Sequence, residues 1–469
     1  MLFNSYTFLL FLAVVIPIFY WMPRDYKKLF LLACSYFFYG AWDWRFCFLL
    51  LFSTTLDFFV GQQIFKSEVQ SVRKKWLILS LLGNLGILGF FKYFNFFTES
   101  FVDLLAKFGQ EADFVHLKII LPVGISFYTF QTLSYTIDIY RKKLEPTGSI
   151  QDFALFVAFF PQLVAGPIER ARRLLPQIQE LYRPTKQQIQ EGLVLISYGL
   201  FQKMLIGDNA GKAVDLVFNN PIGYTSAELV CGVILFSIQI YADFAGYSLV
   251  AIGTGKLVGV DLMTNFQQPF LARNYTDVWR RWHISLSTWF KEYVYFSLGG
   301  NRGSIYKTYL NIIIVMTVSG LWHGASWNFV LWGFLSGVVL VFDKWWKRTE
   351  IWQPKPNPIL NLGSIILTFS TFALLMMIFR ADNLQVVGYF LENIFLWDSS
   401  DIRIRIGLTT IVCLVFSFTV DIIHNHYQSN TFLLQIEKPY RYAILSVIWL
   451  EILTSMATFK PEPYIYFQF

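Results

Sequence analysis

Residues 308–343 read TYLNIIIVMTVSGLWHGASWNFVLWGFLSGVVLVFD, an apolar run with a single histidine, His323, near its middle. One straight helix of this length would reach roughly 50 Å, against a hydrocarbon core of ~30 Å. One span is therefore too few. Two full spans of ~20 residues plus a turn need more chain than this, so at least one arm is expected to stop short. Gly320 and Gly324 bracket the expected break, the first weakening the helix end and the second tolerating the turn. His323 then lies at a tip inside the membrane. Non-helical backbone at that depth is tolerated only where protein or a water-filled cavity surrounds it. The imidazole is itself costly there, because its ring nitrogens find no partner in lipid. A histidine hydrogen-bonded between two helices would meet that need. A helix break and an ionisable group at one place favour a catalytic base reached from an aqueous funnel.

Working outward, the 469 residues are 55% hydrophobic and 19% aromatic but only 15% charged, where soluble domains carry about 25% charged residues. This composition belongs to an integral membrane protein. Long apolar runs recur from end to end, so residues 1–469 read as one all-α, polytopic membrane domain. Cys34, Cys47, Cys231 and Cys413 sit singly in apolar segments, which argues against a disulfide framework and against a zinc site; they are read as packing residues. The first segment, TFLLFLAVVIPIFYW, lacks a preceding basic region and a small-residue cleavage site, and reads as a retained first span. The net charge of +7 reflects Lys and Arg gathered in cytoplasmic loops rather than a nucleic-acid partner.

That charge bias orients the chain. Arg24, Lys27 and Lys28, then Lys66, Arg73, Lys74 and Lys75, then Arg141, Lys142 and Lys143 mark cytoplasmic loops and put the N-terminus outside. The connection with Glu99, Asp103, Glu111 and Asp113 and the one with Asp382, Glu392, Asp398 and Asp401 are expected outside. The segment FALFVAFFPQLVAGPIERARR, interrupted by Pro161, Gly166 and Pro167, is expected to be re-entrant. Spans are expected near 76–97, 189–206, 227–244, 358–379, 406–424 and 442–458, among others, for a total of about 11–12 crossings with re-entrant or broken helices. The polar section 245–305 is expected at the cytoplasmic side. No internal repeat is visible, which weakens a transporter built from duplicated halves.

Residues 279–289, WRRWHISLSTW, form a second constellation. At helical spacing Trp279, Trp282, His283 and Leu286 share one face, while Arg280 and Arg281 splay toward water or phosphate headgroups. Taken alone the pattern reads as an interfacial helix. Upstream, Asp243 interrupts the apolar run of YADFAGYSLVAIGTGKLVG, where a structural ion pair is the plain explanation. The glycine-rich GTGKLVG lacks the spacing of a phosphate loop. His424 and His426, at a span's cytoplasmic end, are expected to be solvated, and His116 external; His-x-His alone is a weak metal signal.

Together, DFAGYS, NFQQPFLARNYTDVWRRWHISLSTWFKEYVYFSLGGNRG and SGLWHGASW resemble the membrane-bound O-acyltransferase family, within it the branch of alginate O-acetyltransferases and related bacterial polysaccharide O-acetylases. The likeness extends to PVGISFYTFQTLSYTIDIYR, FFPQLVAGPIER, the FRA at Phe379–Ala381 and the tail YIYFQF, and so covers nearly the whole chain. It implies a polytopic helical fold whose hallmark histidine lies at the base of a tunnel or funnel and matches His323, with His283 matching the second motif histidine. Trp322, Gly324, Asp243 and Trp282 are then expected to support the tunnel, and Arg280 and Arg281 to lie on the donor side. The implied reaction moves an acyl group, usually acetyl, from a cytoplasmic donor to a hydroxyl on an exported glycan, directly or with an extracytoplasmic partner protein. The implied setting is the bacterial inner membrane. Leu249 stands where an acidic residue follows GYS in the family, and Lys291 and Glu292 stand where Arg and Asp are common. No role resting on the missing carboxylate carries over.

The residue chemistry supports the same reaction. A sugar hydroxyl is a poor nucleophile until a base takes its proton during attack on a thioester carbonyl, and a neutral histidine suits this near pH 7. Burial favours the neutral form of His323. His283 would position the donor or stabilise developing charge. An acyl thioester, with acetyl-CoA as the expected donor, acts as substrate, and no resident cofactor or metal is expected. A transporter or flippase for a lipid-linked sugar or acyl carrier would also explain many spans and a polar interior, but not His323 at a small-residue break together with His283. A metal-binding membrane protein has too few ligands.

Overall fold

In lipid every backbone polar group must be satisfied within the protein, which leaves helices and closed barrels as the available architectures. The computed structural model describes residues 1–110, 116–164, 166–349, 357–396 and 408–467, and every regular element among them is helical. Among the described residues, six helical runs are long and apolar enough to cross a membrane: Arg24–Lys66, Gln70–Lys107, Ser226–Leu257, Ile305–His323, Trp327–Thr349 and Pro358–Arg380. The protein is thus a multi-pass helical membrane protein. The first of these runs folds back at Asp43, whose extended backbone and side-chain acceptor for the Arg45 N–H start the turn Trp44–Phe46. Tyr6–Trp21 is a shorter apolar helix. Helices Leu408–Tyr427 and Lys438–Thr458 lie where late spans are expected. Of the acidic residues expected outside, Glu111, Asp113, Asp398 and Asp401 fall outside the described residues.

Several readings need correction. The apolar run around His323 does form a hairpin, but neither arm stops short. Ile305–His323 and Trp327–Thr349 have 19 and 23 residues, since each helix recruits polar residues beyond the apolar run, and each is about 30 Å long at 1.5 Å per residue. Gly320 does not weaken the helix end. It lies inside the last turns, where a Cβ would collide with the Phe329 carbonyl oxygen and crowd the Gly333 backbone, so its absence lets the two arms touch. Gly324 ends the helix as expected, and the Phe329 ring occupies the space of its missing side chain.

Residues 245–257 are not a polar stretch but helical and mostly buried. They complete the 32-residue helix Ser226–Leu257, which starts at a capping box between Thr225 and Glu228 and packs along Lys186–Phe201. The expected re-entrant segment is broken, as its prolines require, into Ile150–Ala158 and Phe160–Leu163. It is enclosed by protein, with the Phe160 N–H donating to Ser35 Oγ at 3.2 Å. His424 is not solvated. It is 3% exposed, with the Tyr198 ring edge-on at 5.4 Å, because the helix Leu408–Tyr427 packs against the π-helical turn Gln202–Gly207. His426 is exposed, and His116 is exposed with Glu99 at 2.9 Å.

Candidate active site

The residues WRRWHISLSTW do not form one helix. Two short helices, Tyr275–Arg281 and Ile284–Phe290, meet at His283, which adopts left-handed backbone angles (φ 42°, ψ 52°). A non-glycine residue there is strained by about 1–3 kcal/mol and persists only where its surroundings fix it. Asn265 supplies that restraint. Its carbonyl accepts the Ile284 N–H at 2.9 Å and its Oδ1 accepts the Ser285 hydroxyl at 2.6 Å, while Gln267 N–H bonds the Arg281 carbonyl at 2.9 Å. Arg170 adds a bond to the Ser285 carbonyl at 2.9 Å. The break aims His283 inward, fully buried at 0% exposure.

His323 occupies the last position of its helix and is 3% exposed. The two imidazoles, 40 residues apart in sequence, lie with ring centroids 6.1 Å apart. Neither nitrogen of His283 and not Nδ1 of His323 has a hydrogen-bond partner among the described residues. Burial without a partner disfavours the charged form of His283, so its pKa lies below the ordinary imidazole value. Aromatic rings wall the pair: Phe244 lies 4.6 Å from His283, and Trp322, Trp332 and Phe379 lie 5.0, 5.2 and 5.5 Å from His323. Tyr466 reaches both, at 6.4 and 5.5 Å. A cavity of about 50 Å³ opens at His323, lined also by Lys92, Gly124, Phe127, Trp322 and Tyr466. An aromatic wall around two imidazoles with unused nitrogens suits proton transfer to or from a group placed between them.

The other expected site residues separate into two groups. Trp322 and Gly324 flank His323 directly. Trp282 is buried but packs against Phe266 and Phe372, at 5.1 and 5.0 Å. Asp243 does not touch either imidazole in the contacts described. Its Oδ1 pairs with Lys203 at 2.5 Å and its Oδ2 accepts the Ile465 N–H at 2.7 Å, so it tethers the C-terminal turn Ile465–Phe467 that carries Tyr466. Arg281 is tied to Asp277 at 3.0 Å and to Asn425 at 2.9 Å, whereas Arg280 is exposed. Glu292 pairs with Arg172 at 2.6 Å.

A second cavity of about 430 Å³ is bordered by Arg173, Lys256, Gln268 and Leu249, the residue that departs from the family pattern. It adjoins a narrow pocket lined by Asn265, Phe266, Asp421 and His424, with Leu249 and Gln268 common to both. Phe266 contacts Phe244 at 5.0 Å, and Phe244 contacts His283, so two rings stand between this pocket and the histidine. Sequence reasoning missed Asn265, Tyr466 and Lys92. Asn265 lies in a run quoted for its family likeness, and Lys92 carried a readable signal as a lone cation inside the apolar run near 76–97.

Two buried histidines thus meet at helix ends inside a polytopic helical fold. The chain belongs to the membrane-bound O-acyltransferase family, whose sequence model matches residues 142–379, and it is an O-acyltransferase. Both histidines fall within that match. The chain is 38% identical over 433 residues to the probable alginate O-acetylase of Pseudomonas aeruginosa, covering 89% of this chain and 81% of the relative. It is 34% identical over 390 residues to the peptidoglycan O-acetyltransferase of Helicobacter pylori, covering 77% and 72%. It is also 27% identical over 268 residues to the teichoic acid D-alanyltransferase of Bacillus subtilis, covering 53% and 65%. Family membership sets aside the transporter reading.

Proposed function

We propose that this protein transfers an acetyl group from a cytoplasmic thioester, acetyl-CoA, to hydroxyls of an exported polysaccharide, acting from the bacterial inner membrane as one membrane domain with its N-terminus outside. The observation that carries the proposal is the buried pair His283 and His323, 6.1 Å apart with unpartnered ring nitrogens, inside the family's matched region. The printed names of two relatives, an alginate O-acetylase and a peptidoglycan O-acetyltransferase, support a glycan acceptor and an acetyl group.

His323 acts as general base. It takes the hydroxyl proton as the oxygen attacks the thioester carbonyl; the carbon–sulfur bond breaks, and the imidazolium gives that proton to the departing thiolate, which regenerates the neutral base. His283, kept neutral by burial, donates its ring N–H on the donor side to the carbonyl oxygen as negative charge develops there. The 430 Å³ cavity is the candidate mouth for the donor on grounds of volume; its cations Arg173 and Lys256 are paired with Glu169 and with Glu191 and Asp261, and the rings of Phe266 and Phe244 must shift for a thin acyl-thioester arm to pass inward to His283. The small cavity at His323 receives the acceptor hydroxyl, presented either by the glycan or by an extracytoplasmic partner that carries the acetyl group onward.

The test uses inside-out membrane vesicles with acetyl-labelled acetyl-CoA outside and the glycan enclosed. Labelled O-acetyl ester in the lumen, without free acetyl-CoA there, is the expected result. Label that appears only when acetyl-CoA is enclosed with the glycan overturns the transmembrane donor route.

A further inference from the structure

The last four carbonyls of an α-helix have no intrahelical partner, and inside a membrane water does not supply one. For the helix that ends at His323 these belong to Gly320, Leu321, Trp322 and His323. Gly324 N–H reaches the Gly320 carbonyl at a long 3.4 Å. The other three are satisfied from a distant part of the chain. Tyr93 donates its hydroxyl to the Leu321 carbonyl at 2.9 Å, and Lys92 Nζ donates to the Trp322 and His323 carbonyls at 2.7 and 2.9 Å.

Lys92 and Tyr93 close a π-helical turn, Gly89–Tyr93, set between the helices Gln70–Leu88 and Phe94–Lys107. Such turns insert a residue into a helix and re-aim the side chains beyond it, and they are frequent at functional sites. Here the turn presents two consecutive donors to one helix end. The helix that follows grips the other arm of the hairpin: Trp327 Nε1 donates to Ser100 Oγ at 3.2 Å, and the Phe96 and Trp327 rings lie 5.5 Å apart. Lys92 also lines the cavity that opens at His323. Among the described residues its hydrogen-bond partners are carbonyl oxygens rather than a carboxylate. A cation is favoured at a helix C-terminus, where the macrodipole places partial negative charge.

We propose that Lys92 is a positioning residue for acyl transfer: its ammonium, with the Tyr93 hydroxyl beside it, caps the helix end and fixes the backbone of His323 at the cavity. The inference rests on the reading of His323 as the base. The sequence gap of 231 residues between Lys92 and His323 makes the contact invisible to local pattern, yet it joins an otherwise costly membrane cation to an otherwise unsatisfied helix end.

The test compares Lys92→Met, Lys92→Arg and Tyr93→Phe with wild type in purified full-length protein, reading kcat and donor KM separately together with amide exchange at residues 322–325. Lys92→Met keeps the stem but leaves two carbonyls uncapped. Because a misplacement of about 1 Å can lower a rate by about 100-fold, kcat is expected to fall by about that factor with donor KM unchanged and exchange at the helix end faster. Lys92→Arg, which keeps charge and donors, is expected to restore most of the rate. Tyr93→Phe removes one neutral bond and is expected to lower kcat by about 3- to 10-fold. Wild-type kcat in Lys92→Met overturns the proposal, as does a raised donor KM with unchanged kcat, which would make Lys92 a donor-binding group. If Lys92→Met does not insert, Tyr93→Phe decides, and wild-type kcat and exchange there overturn it. The two readings fail separately: activity retained in His323→Ala removes the base, whereas the exchange at residues 322–325 still reports on the cap.

Discussion

Replacing Asp243 by leucine tests whether this buried carboxylate acts through the C-terminal turn or on the chemistry itself. Asp243 is 2% exposed and holds two partners, Lys203 at 2.5 Å and the Ile465 N–H at 2.7 Å. A backbone bond to a charged acceptor contributes about 1.5–3 kcal/mol. Losing one partner of a buried ion pair costs more, about 3–5 kcal/mol, but Lys203 keeps Asp208 at 2.5 Å and is not left alone. The Ile465 bond is therefore the term that changes the freedom of the tail. At tenfold per 1.4 kcal/mol, its loss raises the detached population of residues 464–467 by about 10- to 150-fold. Asn4 still holds the Glu462 carbonyl at 2.9 Å and Lys203 Nζ the Pro463 carbonyl at 3.5 Å, which mark where the detachment stops.

The assay is amide hydrogen exchange across residues 460–467, paired with initial transfer rates. Asp243→Leu should speed exchange of the Ile465 amide and its neighbours by that factor and lower turnover, because Tyr466 leaves the wall beside the two imidazoles. Asp243→Asn retains an acceptor for the Ile465 N–H and should show the smaller change in both. Wild-type exchange in Asp243→Leu accompanied by a large rate loss refutes the tethering account and assigns the carboxylate to the chemistry.

Two further outcomes can be measured. External labelling of single cysteines should reach residues 99–110 and 382–396 and miss 66–75 and 141–147; the reverse pattern inverts the orientation and with it the cytoplasmic donor. His283→Ala and His323→Ala should be non-additive, the double variant losing little more than the worse single one, because groups acting as one catalytic unit fail together. Multiplied losses mean two independent roles, and wild-type behaviour of His283→Ala makes that residue a packing element.

The features legible in the sequence were those written locally. Membrane residence follows from composition, the hairpin from an apolar run too long for one span, and the place of His323 at a helix end from the small residues beside it. The structure adds what local pattern omits. Periodicity treated residues 279–289 as one helix because it does not register the left-handed angles that Asn265 imposes on His283. It treated Gly320 as a breaker because helix propensity says nothing of the partner helix pressed against it. His424 looked solvated at a span's end, yet a neighbouring helix covers it. Motif likeness makes Asp243 a tunnel residue and its chemistry an ion pair; the ion pair is what its side chain makes, and the tether to Ile465 has no local signal. Tyr466 lies in a tail marked by its aromatic content, but its place beside the two histidines depends on contacts from more than 140 residues away.

The central claim is that His323 performs the proton transfer that lets a hydroxyl attack the thioester, and one comparison addresses it directly: initial rates of labelled acetyl transfer to a defined glycan by purified wild type and His323→Ala. General acid–base groups contribute about 100- to 10,000-fold, so the variant should insert and purify normally while its rate falls by at least the lower of these factors. Turnover in His323→Ala within a few-fold of wild type would contradict the account.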